Sequence, residues 1–381
     1  MDSRKVAPLR LAVVQPSPFC NIDCKYCYLP ERSQTHRMTQ ETVGQMARFL
    51  LENRRRLDRE LTILWHGGEP TAVPVSFYES AFKAIRDATP EGVQVQNRFS
   101  TNATLIDDEW CDLIRRWQVT VRVSVDGPKD VHDFNRVDRA GRGTFDHVMR
   151  GIECLQRNGV AFDVISTVSR KSLECPEKIW RFYRQIDAKS LFFCVEEVLG
   201  IHANNSLETY DSFGKIRNFF STFLDLRDRE APNLYIRELD ELIEGIPRIR
   251  KHILRDEAIP LMIVSIGWDG GVSTFSPELL VARDIRYGDF IFGNVATHSL
   301  DDIWNSHKLH LVYKHIREGI KRCENSCEYF RICGGGCPAA KLFETGSFES
   351  TETLSCRLRV KAIGGLVLEH LNLEPLACRA S

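Results

Sequence analysis

The sequence predicts an α/β fold in which a parallel sheet is built from strands that alternate with crossover helices. Between residues 9 and 228, six short apolar runs alternate with amphipathic stretches of helical periodicity. Parallel neighbours need such crossover connections, so the alternation is typical of a parallel sheet. A doubly wound sheet and a barrel-like sheet both fit it, and periodicity does not choose between them. After residue 228 the alternation stops, which indicates a second region.

The strand and helix boundaries follow from the apolar pattern. Strands are predicted over residues 9–14, 61–65, 93–100, 121–125, 162–168 and 191–196. Helices are predicted over residues 40–57, 75–88, 107–117, 144–158, 175–186 and 210–228. The first helix has the clearest periodicity, because Val43, Met46 and Leu50 share one face while Arg54 and Arg56 lie on the other.

The bulk composition is that of a globular protein. The chain has 381 residues, for which two domains are the better expectation, and its formal net charge is −1. Its 51 Lys and Arg residues nearly cancel its 52 Asp and Glu residues, which argues against a general nucleic-acid surface. No signal peptide and no bilayer-length apolar run is visible, so we expect no membrane association and a cytoplasmic location.

The cysteines are unevenly distributed. Thirteen are many for a chain without a visible export signal, and this favours metal binding over disulfides. Three fall within residues 20–27 and five within residues 323–356. The others are scattered and are expected to be ordinary thiols: Cys111, Cys154, Cys175, Cys194 and Cys378.

The first group has the spacing C-x3-C-x2-C, with an aromatic residue before the last cysteine. Cys20, Cys24 and Cys27 follow the first predicted strand, and Tyr26 precedes the third cysteine. Most iron–sulfur clusters have four cysteine ligands, so three thiolates on one loop predict a 4Fe–4S cube with one iron open to another ligand. The alternatives are a zinc loop lacking a ligand and unrelated buried thiols.

Polar and glycine-rich residues follow the next strands. His66 and the segment Gly67, Gly68, Glu69, Pro70 end the second strand, Asn102 ends the third, and Ser124 and Asp126 end the fourth. Because the carboxyl ends of parallel strands meet at one edge, these side chains are expected to share a rim with the cysteines. Alone, the glycine segment and the Asp-Gly pair at residues 126–127 would be read as turns.

The second cysteine group lies in the region beyond the alternation. Two β-prone runs flank Asp269-Gly270-Gly271, which predicts a hairpin over residues 261–275. The cysteines that follow are Cys323, Cys327, Cys333, Cys337 and Cys356, with three glycines between the third and fourth. They could be zinc ligands in an isolated domain, but beside a first iron–sulfur site a second cluster is favoured.

Over most of its length the chain resembles the radical S-adenosylmethionine (SAM) enzymes. Their C-x3-C-x-aromatic-C motif matches Cys20, Cys24, Tyr26 and Cys27, and holds a cluster whose open iron binds SAM. Their GGEP segment, which contacts the methionine amino group, matches residues 67–70. The serine that meets the ribose is similar to Ser124. The resemblance implies a partial (β/α)6 TIM barrel and reductive cleavage of SAM to a 5′-deoxyadenosyl radical.

The rim residues are assigned with this resemblance in view. Predicted cofactor-binding residues are Tyr26, Gly67, Gly68, Glu69, Pro70, Asn102, Ser124 and Asp126. The predicted ligands of the SAM-binding cluster are Cys20, Cys24 and Cys27.

The second region resembles the SPASM extension of radical SAM enzymes that modify peptides. That extension usually holds two auxiliary clusters with seven cysteines, and the five cysteines between residues 323 and 356 match the last five, with one gap a residue longer. No cysteine occurs between Cys194 and Cys323, and Ser276 occupies the usual hairpin position. We expect one auxiliary 4Fe–4S cluster held by Cys323, Cys327, Cys333 and Cys356, with Cys337 free. The alternative is that Cys337 replaces Cys356.

The domain organisation expected from both resemblances is a barrel over residues 1–230, a helical bridge over 231–260 and the extension over 261–381. The segment after Cys356, residues 358–373, reads as one helix. Little room remains for a domain that binds the leader of a substrate peptide, so the leader docks on the enzyme itself or on a separate leader-binding protein.

The resemblance is strongest to maturases of glycine-rich-repeat peptides, which link aromatic rings to a β-carbon. The sequence-based hypothesis is therefore a cyclophane synthase that acts on a ribosomally made precursor peptide and takes electrons from a flavodoxin or ferredoxin. Glu278 and Asp269 are the candidate catalytic bases. Sulfatase maturases carry an aspartate just after the hairpin cysteine, where this chain has Pro277.

Several other functions remain as alternatives. Formylglycine or thioether formation is the alternative peptide chemistry, and radical chemistry on a small molecule is a further one. The non-enzyme alternative is an iron–sulfur electron carrier, although a carrier needs no vacant iron.

Overall fold

The barrel sheet runs through both predicted regions. The computed structural model describes residues 7–53, 56–209, 211–245 and 254–373. Its strands are β1 Leu9–Val14, β2 Leu57–Trp65, β3 Gln94–Thr101, β4 Thr120–Ser124, β5 Phe162–Val168, β6 Ser190–Val195, β7 Tyr235–Ile236, β8 Ile263–Ile266, β9 Gly271–Thr274, β10 Arg283–Asp284, β11 Gly288–Asp289 and β12 Gly293–Asn294. Ten of them form one sheet in the order β12-β9-β8-β1-β2-β3-β4-β5-β6-β7, and β10 pairs with β11.

The helices cover the sheet and build the extension. They are α1 Gln40–Leu51, α2 Val75–Ala88, α3 Asp108–Trp117, α4 Lys129–Asn135, α5 Phe145–Arg157, α6 Pro176–Gln185, α7 Ser212–Glu230, α8 Arg237–Gly245, α9 Leu300–Trp304, α10 His307–Ser326, α11 Phe330–Cys333, α12 Pro338–Thr345 and α13 Ile363–His370. A π-helix, Cys356–Ala362, leads directly into α13. In the described ranges, no helix combines the length and apolar character that crossing a bilayer requires.

The strands β1 to β6 are parallel neighbours, and helices follow each of them. The sheet remains open, with β7 at one edge and β12 at the other. This arrangement confirms the partial barrel of six strand–helix units. In β5, Phe162 and Val164 are buried against the helices, whereas the alternate residues Asp163, Ile165 and Thr167 are less buried and face the lumen.

The extension begins as part of the barrel sheet. Strand β8 pairs in parallel with β1 and turns back through β9, so the expected boundary at residue 261 falls just before a strand of that sheet. The turn contains Gly270, whose φ of 81° lies in the left-handed region that favours glycine. The predicted hairpin is therefore confirmed, and it carries the first residues of the extension to the rim of the barrel.

Two predicted helix boundaries need correction. The first helix ends at Leu51, and Leu57 begins β2, where it pairs with Leu9. Arg56, which follows the helix and precedes β2, pairs with Asp301 of the extension. The segment predicted as one C-terminal helix is a π-helix followed by α13, which packs on α7 and α8. Three residues named in the sequence analysis lie outside the described residues: Arg54, Cys378 and Tyr210, which is the first residue of the sixth predicted helix.

Aromatic side chains form the core between the sheet and its helices. Trp65 of β2 contacts Tyr78 of α2 edge to face with ring centroids 5.3 Å apart, and Tyr78 in turn contacts Phe99 of β3 at 4.8 Å. All three are fully buried. Such rings each stabilise the fold by about 3–5 kcal/mol relative to alanine, so this core fixes the ends of β2 and β3, where the rim residues lie.

Candidate active site

The carboxyl ends of the barrel strands surround one cavity of about 260 Å³. The three cysteines of the first group line it together with Gly68, Glu69, Asn102 and Ser124. Tyr26 lines it from the cysteine loop, and Glu278 lines it from the extension. The structure thus brings together residues that are separated widely in sequence. Gly67, Pro70 and Asp126 do not line the cavity and lie behind its wall.

The cysteine loop is pinned by backbone hydrogen bonds from the connection after α4. The amide of Asp23 donates to the carbonyl oxygen of Val137 at 2.7 Å, and that of Lys25 donates to Asn135 at 2.9 Å. The guanidinium of Arg139 donates to the carbonyl oxygen of Cys20 at 2.7 Å. Within the loop region, Arg32 donates to the carbonyl oxygen of Cys24 at 3.1 Å, so both local contacts and a distant part of the barrel hold the loop.

A buried network under the loop connects Tyr26 to the ends of β4 and β5. The carboxylate of Asp126 accepts hydrogen bonds from the Tyr26 hydroxyl, from Nη2 of Arg136 at 3.1 Å and from the amide of Thr167 at 2.9 Å. Asp126 is 1% exposed. These contacts join Tyr26 of the cysteine loop to the ends of β4 and β5, and Tyr26 also lines the cavity.

The glycine segment lets two stretches of backbone approach closely. Gly68 has a φ of 67°, and a Cβ atom there would lie 2.4 Å from the carbonyl oxygen of Ser17. Only glycine fits this position, which supports the expected role of the segment in presenting its backbone to a ligand.

Glu69 ties the ends of β2 and β3 together. Its Oε1 accepts hydrogen bonds from Thr71 and Thr101, and its Oε2 accepts one from the amide of Asn102 at 2.8 Å. Burial nevertheless raises the pKa of Glu69 above its usual value. This carboxylate is used for positioning.

The donor set at the first cysteine group fits a cluster ligated by thiolates. The Asn102 side-chain amide lies 3.9 Å from Sγ of Cys20, and Nη1 of Arg136 lies 3.9 Å from Sγ of Cys24. N–H groups directed at sulfur stabilise its anionic, metal-bound form. Without a metal, burial raises the pKa of Cys24 to about 12, so this thiol would stay protonated. Cys20, Cys24 and Cys27 would hold the cluster, which supplies electrons to bound SAM.

The second cysteine group lines a separate cavity in the extension. Cys323, Cys327, Cys333, Cys337 and Cys356 all border it, together with Lys341 and Arg255. Nζ of Lys341 lies 3.4 Å from Sγ of Cys323, and Nε of Arg255 donates to the carbonyl oxygen of Cys333 at 3.0 Å. Two cations beside the thiols fit an anionic iron–sulfur cluster.

Cys337 differs from the other four cysteines in what its sulfur faces. Its Sγ lies 3.5 Å from Oγ of Ser276 in the hairpin. Burial, and after it the carboxylates of Glu257, Glu197 and Glu278, raise the pKa of Cys337 well above its usual value. Burial raises the pKa of the Cys356 thiol to about 12, and Cys333 and Cys327 contribute next. Both Cys337 and Cys356 border the cavity, so the ligand set that leaves Cys337 free stays a prediction.

Ligand spacing separates a cluster from a single ion. Within residues 7–53, 56–209, 211–245 and 254–373, no group of three or more His, Cys, Asp or Glu side chains is placed to hold one metal ion. A tetrahedral zinc site needs sulfurs about 2.3 Å from the metal and hence close together. Neither cysteine group is thus arranged around a single ion in these ranges, and the sequence motifs predict an iron–sulfur cube for both.

The structure places only one of the two candidate bases, Glu278, at the cavity. Glu278 lines the cavity, and burial, followed by the nearby Glu257, raises its pKa to about 7. Asp269 is not brought to the cavity, because it lies in the hairpin turn, where its Oδ1 accepts a hydrogen bond from the amide of Gly271 at 3.0 Å. A carboxyl group with a pKa near neutrality can accept a proton at physiological pH, so Glu278 is the better placed of the two.

Several cavity residues gave no signal in the sequence. Arg136 comes from a loop without a motif, and Glu196 and Glu197 follow β6 without a glycine or turn signature. Cys194, expected to be an ordinary thiol, also lines the cavity. His66 lines it with a pKa lowered to about 4 by burial and by Arg122, so its ring is neutral at physiological pH. Only His66, which precedes the glycine segment, could have been singled out from the sequence.

Comparisons with known proteins agree with this geometry. Residues 14–182 match the radical SAM superfamily, and residues 259–334 match the SPASM iron–sulfur cluster-binding domain. An uncharacterised protein of Synechocystis sp. is 36% identical over 375 residues, which cover 97% of this chain and 94% of that protein. The serine-type anaerobic sulfatase-maturating enzyme of Bacteroides thetaiotaomicron is 25% identical over 379 residues, which cover 92% and 87% respectively.

A solved structure shares the whole architecture. Native anSMEcpe with bound AdoMet superposes with a TM-score of 0.79 at 23% identity, and the match covers 96% of this chain and 98% of that chain. The same enzyme with AdoMet and a Cp18Cys peptide gives a TM-score of 0.76 at 22% identity, with the same coverage. The partial barrel and its extension are thus an architecture found in solved structures.

Proposed function

Because the chain belongs to the radical SAM superfamily and carries a SPASM iron–sulfur domain, we propose that it is a maturase that oxidises a side chain in a peptide or protein substrate. Its cofactors are a SAM-binding 4Fe–4S cluster, SAM and an auxiliary iron–sulfur cluster. One observation carries the proposal: the cavity that holds the three cysteines of the first group also contains Glu278 from the extension. A side chain placed there would meet both a radical source and a proton acceptor.

The cofactors and the protein supply different parts of the chemistry. When bound, SAM with its cluster supplies a radical that takes a hydrogen atom, and the auxiliary cluster supplies a one-electron acceptor. The protein positions the substrate carbon, excludes water and accepts a proton at Glu278. Loss of a hydrogen atom, an electron and a proton together makes a two-electron oxidation of the substrate.

The favoured reaction is oxidation at the β-carbon of a cysteine or serine, as the names of sulfatase-maturating relatives suggest. Such a reaction needs one carboxylate base close to the substrate, and Glu278 fills that need from the hairpin segment. The sequence departs from sulfatase maturases at Pro277, but Glu278 follows directly and reaches the cavity. The carboxylate is therefore present, one position further along the sequence than in sulfatase maturases.

A second candidate is cyclophane formation, in which the β-carbon joins an aromatic ring. It is favoured by Ser276, which replaces the hairpin cysteine and contacts Cys337, the cysteine that our ligand set leaves free. The extension would then hold one auxiliary cluster instead of the usual two. This chain would therefore differ from a sulfatase maturase in the clusters that accept the electron.

Mass spectrometry distinguishes the two reactions. The enzyme, SAM and a flavodoxin-type or ferredoxin-type reductant are incubated with an unmodified sulfatase peptide, or co-expressed with small precursor peptides encoded beside its gene. Oxidation of cysteine to formylglycine lowers the peptide mass by about 18 units, and oxidation of serine by about 2. A cyclophane also lowers it by about 2 units but yields no aldehyde, so an aldehyde-specific hydrazide tells the last two apart.

The same experiment can overturn the proposal. Release of 5′-deoxyadenosine without a change in the mass of any peptide would contradict a peptide maturase and favour a small-molecule substrate. Absence of 5′-deoxyadenosine from a fully iron-loaded enzyme would contradict radical SAM chemistry itself and favour an electron carrier.

A further inference from the structure

The barrel lumen below the cavity contains arginines that the proposed chemistry does not use. Arg98 of β3 and Arg122 of β4 alternate along their strands with Phe99, Val121 and Val123, which are completely buried. Because successive strand residues point to opposite faces, the two arginines face the lumen, away from the helices. A barrel lumen is normally filled by branched apolar side chains.

Arg122 lacks the partners that other arginines in this region have. Its guanidinium lies 3.5 Å from the centre of the Phe192 ring, and it forms no hydrogen bond or ion pair with any residue in the described ranges. Its Nε is buried without a partner, as are Nε of Arg136 and Nε of Arg98, whose Nη2 donates to Gln96 at 2.9 Å. In contrast, Arg136 and Arg359 pair with the carboxylates of Asp126 and Glu197.

The lumen carries an excess of positive charge. Arg98, Arg122 and Arg237 lie close enough to repel one another, and burial, followed by Arg237, lowers the pKa of Arg122 to about 10. The Arg122 side chain thus stays charged at neutral pH. Of the nearby carboxylates, Glu238 is paired with Arg237, whereas Asp163, which faces Arg122 in the sheet register, attracts it without forming a direct ion pair. Buried charge without a partner is costly, so proteins keep it chiefly where it serves function.

Arg122 lies directly below the cavity. It is in register with Ser100 of β3 and Asp163 of β5. Ser100 lines the cavity, and so does Ser124, two residues further along β4. Two strand residues span about 6.6 Å, so the guanidinium is one layer of side chains below the cavity floor. His66, which lines the cavity, is close enough to Arg122 for the guanidinium charge to lower its pKa, so this charge acts on the cavity.

We propose that Arg122, supported by Arg98, binds the carboxylate of an acidic residue in the substrate peptide and thereby sets how deeply the peptide enters the barrel. This inference rests on the proposed peptide substrate. A guanidinium donates two parallel hydrogen bonds to a carboxylate, which fixes orientation as well as position. The stacked Phe192 ring holds the guanidinium plane ready for that contact.

The first test is the stability of the enzyme without substrate. Arg122→Met removes an unpaired charge and its repulsion from Arg98 and Arg237, so we expect the Tm of the iron-loaded enzyme to rise by about 2 °C or more. The matched control, Arg136→Met, breaks the ion pair with Asp126 and should lower the Tm. A lower Tm for Arg122→Met would show a structural arginine and overturn the proposal.

The second test measures binding without turnover, so it stays informative even if no peptide is processed. N-acetylglutamate amide at millimolar concentration should raise the Tm of the enzyme, whereas N-acetylglutamine amide should not. The shift should vanish in Arg122→Met and be reduced in Arg122→Lys, which keeps the charge but loses the planar fork. Equal shifts in the enzyme and in Arg122→Met, or no shift in either, would contradict the assignment. A larger shift with inorganic phosphate would also contradict it, because it would indicate a general anion site.

Discussion

The two cysteine groups are held by the fold in different ways. The loop of the first group is fixed by residues far away in sequence: Tyr26 and Asp126 are 100 residues apart, and Arg136 and Cys24 are 112 apart. In the second group, Lys341 lies only 18 residues from Cys323. The first site therefore depends on the assembled barrel, whereas the second is built largely within one segment.

This difference explains how the second cysteine group can lack the usual hairpin cysteine while the first group has all three of its cysteines. Each rim residue of the barrel contacts several others, so a substitution at Asp126 or Glu69 disturbs the cysteine loop, β3 and β5 together. In the extension, the buried hydroxyl of Ser276 lies 3.5 Å from Sγ of Cys337, which is outside the four cysteines that we predict as ligands. We therefore expect that a ligand at this position can be replaced without loss of the neighbouring cluster.

The largest expected effect comes from removing one cysteine of each group. Cys24→Ala should abolish SAM cleavage and lower the iron content from about eight to about four per chain, since the cube would lose a ligand. Cys327→Ala should cause the same iron loss and abolish peptide oxidation, but it should leave SAM cleavage detectable. Iron analysis and 5′-deoxyadenosine measurement check both variants. About twelve irons in the unaltered enzyme would contradict a single auxiliary cluster.

The second largest effect is expected at Glu278, the proposed base that the extension contributes. Glu278→Gln should lower the rate of product formation by about 10²–10⁴-fold, because an amide cannot accept the proton. In the unaltered enzyme the rate should rise with pH through about 7, since the carboxylate is protonated below that pKa and cannot act as a base. Quantitative mass spectrometry of the product from pH 6 to 8.5 would measure this rise.

The carboxylate in the hairpin turn provides the matched control. Asp269→Asn keeps an oxygen that accepts the hydrogen bond from Gly271, so product formation should remain within about twofold. A flat pH profile for the unaltered enzyme, or a large loss in Asp269→Asn, would reject Glu278 as the base.

A smaller effect is expected from breaking the network under the first cysteine loop. Asp126→Asn leaves the buried Arg136 without its carboxylate and should lower the free energy of unfolding by about 3–5 kcal/mol, with reduced iron loading. Asp301→Asn, which breaks the half-exposed pair with Arg56, should cost about 1 kcal/mol or less and leave iron loading intact. Denaturant unfolding and iron analysis distinguish the two. Equal iron loading in both variants would indicate that the network does not hold the loop.

The sequence predicted what is encoded locally. Apolar periodicity identified the six strand–helix units, and the spacing of Cys20, Cys24 and Cys27 identified an open iron. The end of α1 was missed, because the residues after it contact distant parts of the chain, Arg56 with Asp301 and Leu57 with Leu9, and no local pattern indicates these contacts. The hairpin was identified from its Asp-Gly-Gly turn, but its pairing with β1 was not.

The rest of the site depends on contacts between distant residues. Tyr26 and Asp126 were expected to bind cofactor, and only the folded chain places Asp126 behind the cavity wall, where it accepts three hydrogen bonds. Arg122 and Arg136 belong to no motif, since nothing in the residues around them distinguishes a lumen arginine from a surface one. The choice between Glu278 and Asp269 likewise required the position of the hairpin relative to the barrel rim.

The smallest expected effect is the most informative about the second cysteine group. Cys337→Ser should leave about eight irons per chain and detectable SAM cleavage, because a hydroxyl fits the space of the thiol and keeps the contact with Ser276. The stability should change by about 1 kcal/mol or less. Cys356→Ser should instead lose about four irons. If Cys337 were a ligand in place of Cys356, the two results would be exchanged, and Cys356 would be the free thiol.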